Sequence, residues 1–173
     1  MLLGGCASAP FPIYNDFSGV ESASIGKARL YIFRPMFSHE SRKDTPELLL
    51  NGVEIMKLEF GGYTNLTLAP GEFALQLIPS STDSKQWLTD SKLSLEADKV
   101  YFLAIWNKVD ARNGVKNFDF FMPPVLPLIF PALRTINKGT LLEFVSEDDA
   151  TPYLKVMKYI APKSQSMHFL QSQ

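Results

Sequence analysis

The stretch ELLLNGVEIMKL, residues 47–58, with YTNLTLAPGEFALQLI, residues 63–78, just behind it, decides the fold. Asn51-Gly52 stands between two apolar-rich runs. A two-residue connection of the right twist needs positive φ at both central positions, which Asn and Gly supply at least steric cost. In Ala69-Pro70-Gly71-Glu72, proline pre-sets φ at the second turn position and glycine accepts a positive φ at the third, the pattern of a type II turn. The stretch therefore predicts four antiparallel strands in two hairpins back to back. Chemistry of this kind specifies a scaffold and not an activity.

Upstream, GKARLYIFRP, residues 26–35, puts Ala28, Leu30 and Ile32 on one side and Arg29, Tyr31 and Phe33 on the other. Pro35 ends this strand because it cannot donate to a ladder, and two largely apolar faces place the strand inside a sandwich. Downstream, residues 80–91 form a polar loop around Trp87, and residues 92–95 are a short strand. KVYFLAIWNKV, residues 99–109, is apolar on both faces, as a sheet-centre strand is. Thr140–Val145 is the last strand. Thr151-Pro152 reads as an N-cap followed by proline at the first helical position, with Asp148 and Asp149 just upstream. The helix it opens, residues 152–160, carries Tyr153, Val156, Met157 and Ile160 on one face, and Pro162 stops it. The expected fold is all-β: a single antiparallel β-sandwich of about 7–9 strands with a short C-terminal helix, spanning residues 26–162.

Composition narrows the function. Seventeen Lys plus Arg against 18 Asp plus Glu give a net charge of -1, which offers no field for a nucleic acid. Thirteen Phe, six Tyr and twelve Pro favour strands over helices. The single cysteine rules out an internal disulfide and a cysteine-based zinc cluster. There is no G-x-S-x-G elbow, no H-E-x-x-H and no glycine-rich phosphate loop, and His39 and His168 are far apart. Asp148-Asp149 is read as a helix-capping acid pair, and Trp87 and Trp106 as packing residues rather than the floor of a sugar site. No catalytic residue, metal or cofactor is expected.

Leu3-Gly4-Gly5-Cys6 resembles the bacterial lipobox, in which an apolar residue and two small ones precede a cysteine that takes a diacylglyceryl thioether. An export signal needs a basic region and a longer apolar run than the five residues before Cys6, so the expectation is a true start upstream or a trimmed chain. Residues 1–6 are thus the remnant of a signal peptide. Residues 7–25 (ASAPFPIYNDFSGVESASI) lack a helical or strand period and read as a tether, with Phe11, Ile13, Tyr14 and Phe17 sticky enough for part of it to lie along the domain. Residues 163–173 are a flexible tail.

The pattern G-K-x-x-x-Y-x-F-R-P at residues 26–35, the Asn-Gly hairpin, Gly62-Tyr63-Thr64 and Leu68-Ala69-Pro70-Gly71-Glu72 together resemble an uncharacterised bacterial lipoprotein family, a domain of unknown function built as a small β-sandwich. Glu96-Ala97-Asp98-Lys99-Val100-Tyr101 fits the entry to its later strand more loosely. The proline-glycine hairpin is similar to the surface-associated repeats named after Pro-Glu-Gly-Ala, with Gly and Glu in the other order. These are turn and core residues, so the resemblance implies a fold and carries no catalytic residue. With Ala7 behind Cys6, it also implies an outer-membrane lipoprotein of the cell envelope, facing the periplasm or the cell surface and held in the membrane by the lipid at Cys6.

FDFFMPPVLPLIFPAL, residues 118–133, fits the scaffold least. Its prolines remove helix and sheet donors, so it is neither a membrane span nor a central strand. Either it is buried against the sandwich, or Phe120, Phe121, Val125, Leu128, Ile129 and Phe130 form a surface for a partner or the bilayer. The expected function is a lipid-anchored, non-enzymatic binding or scaffolding module for an envelope protein or polymer. Two alternatives stay open: an envelope hydrolase or transferase whose site assembles only in three dimensions, and a purely structural spacer.

Overall fold

The computed structural model describes residues 12–36, 44–80, 87, 89–107, 135–137 and 140–164. Cys6, His39, His168 and the stretch with Phe120, Phe121, Val125, Leu128, Ile129 and Phe130 lie outside them. In chain order the elements are β1 (Ala28–Phe33), β2 (Glu47–Leu50), β3 (Val53–Lys57), β4 (Gly62–Leu68), β5 (Gly71–Ile78), β6 (Thr89–Leu95), β7 (Val100–Asn107), β8 (Thr135–Asn137), β9 (Thr140–Val145), α1 (Glu147–Leu154) and β10 (Lys158–Tyr159). They form a six-stranded sheet of order β10-β4-β1-β7-β9-β8 and a four-stranded sheet of order β3-β2-β5-β6. The all-β sandwich with a C-terminal helix is thus the architecture of the chain. It departs from a purely antiparallel one at two pairings, β1 with β7 and β10 with β4, which are parallel.

The Asn-Gly turn folds as its residues dictate. Asn51 has φ 49° and Gly52 φ 76°, and β2 and β3 pair antiparallel across them. Asn51 also fastens the turn to the next strand, because its amide N donates to the Ala74 carbonyl and its side-chain oxygen accepts from the Ala74 N–H. A Cβ at Gly52 would meet no atom within 4 Å, so Gly52→Val tests the backbone alone. We expect it to destabilise the domain by about 1–3 kcal/mol, read as a lower chemical-denaturation midpoint. An unchanged midpoint would rule out the positive-φ turn.

The second expected hairpin is a correction. β4 pairs with β1 and β10, and β5 pairs with β2 and β6, so Ala69-Pro70-Gly71 carries the chain from one sheet to the other. Leu66 and Leu68 of β4 meet Phe73, Leu75 and Leu77 of β5 in one core. Period-two alternation states which side chains face that core. It is identical for neighbours in one sheet and for strands facing each other across a sandwich.

The helix is the other correction. It starts five residues earlier than Thr151-Pro152 implies, with Ser146 as N-cap: the Ser146 Oγ accepts from the Asp149 N–H at 3.2 Å and donates to the Asp149 carboxylate at 2.6 Å. Glu147, Asp148 and Asp149 occupy the first turn, where the positive end of the helix favours acids. Pro152 sits inside the helix and withholds one amide bond, which an eight-residue helix tolerates near its end. Ser146 thus caps one backbone N–H, as a serine N-cap does, and the helix it opens buries Ala150 and Leu154.

Two cores result. The first lies between the sheets and takes Leu30 and Ile32 from β1, Leu48 and Leu50 from β2, and Trp87. The second lies on the outer face of the six-stranded sheet, where Tyr31, Phe33, Phe102 and Trp106 are covered by Ala150, Leu154 and Met157. Both faces of β1 are therefore buried, as its sequence predicts. Trp87 and Trp106 belong to separate cores and do not pack on each other, and Ile160 packs against the first core rather than beside Met157.

Arg34 closes the first core. It is 1 % exposed, and its Nη1 donates to the carbonyls of Asp44 and Leu58. Its guanidinium lies 4.3 Å from the centre of the Trp87 ring and 5.5 Å from that of Phe60. A planar cation that stacks and donates sideways at once is what a guanidinium offers and an ammonium does not.

Candidate functional site: a tyrosine-lined cleft

Of the segment read as a tether, residues 14–21 lie on the outer face of the six-stranded sheet. The Tyr14 N–H donates to the Val156 carbonyl, the Tyr159 N–H to Asp16 Oδ2, and the Glu21 N–H to the Tyr31 hydroxyl. Glu21 pairs with Arg29 at 2.9 Å. Phe17 stands nearly perpendicular to Tyr31 and Tyr63, with ring centres 6.4 and 6.0 Å away. These contacts make residues 14–21 a strap.

Strap and sheet enclose a cleft of about 260 Å³. Its floor comes from β1 and β4, whose register sets Tyr31 opposite Asn65 and Phe33 opposite Tyr63. Outward-facing positions of two neighbouring strands thus put two tyrosines and an amide side by side. Tyr159 of β10 forms a side wall, its ring centre 5.4 Å from that of Tyr63 and tilted by 58°. Asp16 and Glu21 bring carboxylates along the strap, and among the described residues no lysine, arginine or histidine lines the cleft.

Burial pushes Tyr63 up from 10.0 to about 12, with the Asp16 carboxylate adding to the rise. Tyr31 is raised for the same first reason, partly offset by the hydrogen bond from Glu21. Within α1, burial likewise takes Tyr153 to about 12, helped by Asp149 and Glu143. The hydroxyls are therefore hydrogen-bond donors at neutral pH. Because the folded values lie above that of the unfolded chain, these tyrosines favour folding fully below pH 10 and lose that contribution as pH rises toward 12. Stability should fall across pH 10–12, and Tyr63→Phe with Tyr153→Phe should flatten the fall in denaturation midpoint. An equally steep fall in the double variant would exclude these two groups as its cause.

Sequence reasoning named none of the cleft residues as a site. In the sequence Phe17 reads only as sticky and Tyr31 only as core, and nothing local shows that the strap packs against Tyr63. Among the described residues no group of three His, Cys, Asp or Glu is placed to hold a metal, and no helix is long and apolar enough to cross a membrane. Neither the curated proteins nor the solved structures hold a match to the chain. A family model described as a protein of unknown function, DUF2846, matches residues 24–117. That span runs from just before β1 past the end of β7, so it takes in both strands of the cleft floor, and the chain belongs to this DUF2846 family.

Proposed function

We propose that the protein is a lipid-anchored module of the cell envelope that works by binding rather than by catalysis, with the cleft under the strap as its recognition site. The observation that carries this reading is the strap itself. Asp16 stands ten positions beyond Cys6, and ten extended residues reach at most about 35 Å. An anchor at Cys6 would therefore hold the cleft near the bilayer surface. The chemistry of the lining supports binding too, since tyrosine hydroxyls kept protonated orient a ligand and abstract no proton.

The test has two parts in the full-length protein expressed with an upstream export signal. Labelled fatty acid should enter the wild-type chain and not Cys6→Ser. Crosslinking in intact cells, followed by purification, should recover a discrete envelope component with wild type, and less of it with Tyr159→Ala. An unlabelled wild-type chain in the soluble fraction would refute the anchor. A hydrolase or transferase activity that Tyr159→Ala abolishes would replace binding by catalysis.

A further inference from the structure

We propose that the cleft takes an alkylammonium group, such as the side-chain amine of a lysine or another diamino acid. This rests on the reading of the cleft as a binding site, and adds the class of ligand. Four aromatic rings border it at different angles: Phe17 is at 79° to Tyr63 and 75° to Tyr31, and Tyr159 is at 58° to Tyr63. Tyr31 is stacked on Phe102 and Tyr63 is buried, so the cleft presents the exposed Tyr159 ring beside the Asp16 carboxylate and tyrosine hydroxyls, groups that together suit a cation.

Charge points the same way. Glu21 is already neutralised by Arg29, whereas Asp16 binds only a backbone N–H, that of Tyr159. Among the described residues, the nearest uncompensated charge to an incoming group is thus negative, and the lining supplies no cation to hold a phosphate or carboxylate. Among the described residues, the Asn65 side chain and the Tyr63 hydroxyl make no hydrogen bond within the protein, so both are available to the ligand or its water. At about 260 Å³ the space suits a single side chain rather than an oligomer. The missing phosphate partner also disfavours a zwitterionic lipid headgroup.

The experiment is a titration of the non-lipidated full chain, Cys6→Ser, followed by two-dimensional NMR and calorimetry. The probes are n-butylammonium, Nα-acetyl-lysine amide, the neutral isostere n-pentanol, phosphoethanolamine and N-acetylglucosamine. We expect saturable binding of the two ammonium probes, with shifts confined to the strap, β1, β4 and β10, and affinity at least about tenfold above that of n-pentanol. Asp16→Asn and Tyr159→Ala, both at exposed positions, should each weaken it about tenfold while the circular dichroism spectrum stays unchanged. Equal binding of n-pentanol would show a merely apolar hole. Tighter binding of N-acetylglucosamine or phosphoethanolamine would assign another ligand, and binding by none of the probes would reject the ammonium site. Any of those failures leaves the crosslinking test of the binding module standing, because that test does not presuppose the ligand.

Discussion

Arg34→Ala is expected to destabilise the domain by on the order of 3–4 kcal/mol, because it strands two carbonyls and removes a stacked cation at once. The Asp44 and Leu58 carbonyls lose the Nη1 donor in a place water reaches poorly, and the Trp87 ring loses its cover. In a domain of this size that corresponds to a melting temperature lower by roughly 10 °C. Arg34→Lys should recover little of it, since one ammonium cannot stack on Trp87 while spanning both carbonyls. A shift below about 3 °C for the alanine variant would mean that the guanidinium is not what joins the end of β1 to the segment before β2.

The second large effect is expected at Phe33, which is fully buried and stacks on Tyr153 at 6.1 Å. Phe33→Ala opens a cavity between the six-stranded sheet and α1, at a cost of about 3–5 kcal/mol. It should act locally as well as globally. The ring of Trp106 stands edge-on to Tyr153 at 6.1 Å, so its fluorescence should shift, and amides of α1 should exchange faster than those of β2 and β5. Leu30→Ala, which empties the core between the sheets instead, should cost about 2–5 kcal/mol without that preference for α1. If Phe33→Ala loosened both regions alike, the helix would be no separate layer.

Those two variants mark what the sequence could and could not say. The identity of β1 and β7 as doubly buried strands was legible, because apolar residues at consecutive positions exceed what one covered face requires. The Asn51-Gly52 turn was legible too, since its φ values admit few other residues. Which strand faces which was not: Leu68 and Phe73 read the same whether their strands share a sheet or oppose each other. The start of α1 was misread because two capping patterns lie five residues apart and only the tertiary seat of Ala150 and Leu154 chooses between them. The cleft was illegible for a different reason. It joins Asp16 to Tyr159, residues from opposite ends of the domain, and no local pattern encodes that meeting.

The strap has a mechanical consequence. Tension entering through the N-terminal end first meets a few isolated bonds, Tyr14 to Val156 and Tyr159 to Asp16, which can open one after another like a zip. Beyond them the load arrives at β1, held between antiparallel β4 and parallel β7 in the middle of its sheet. There the hydrogen bonds of both ladders lie across the pull and must yield together. A domain hung from its N-terminus would thus give way in two stages: an early, reversible extension that uncovers the tyrosine cleft, and a later rupture at much higher force.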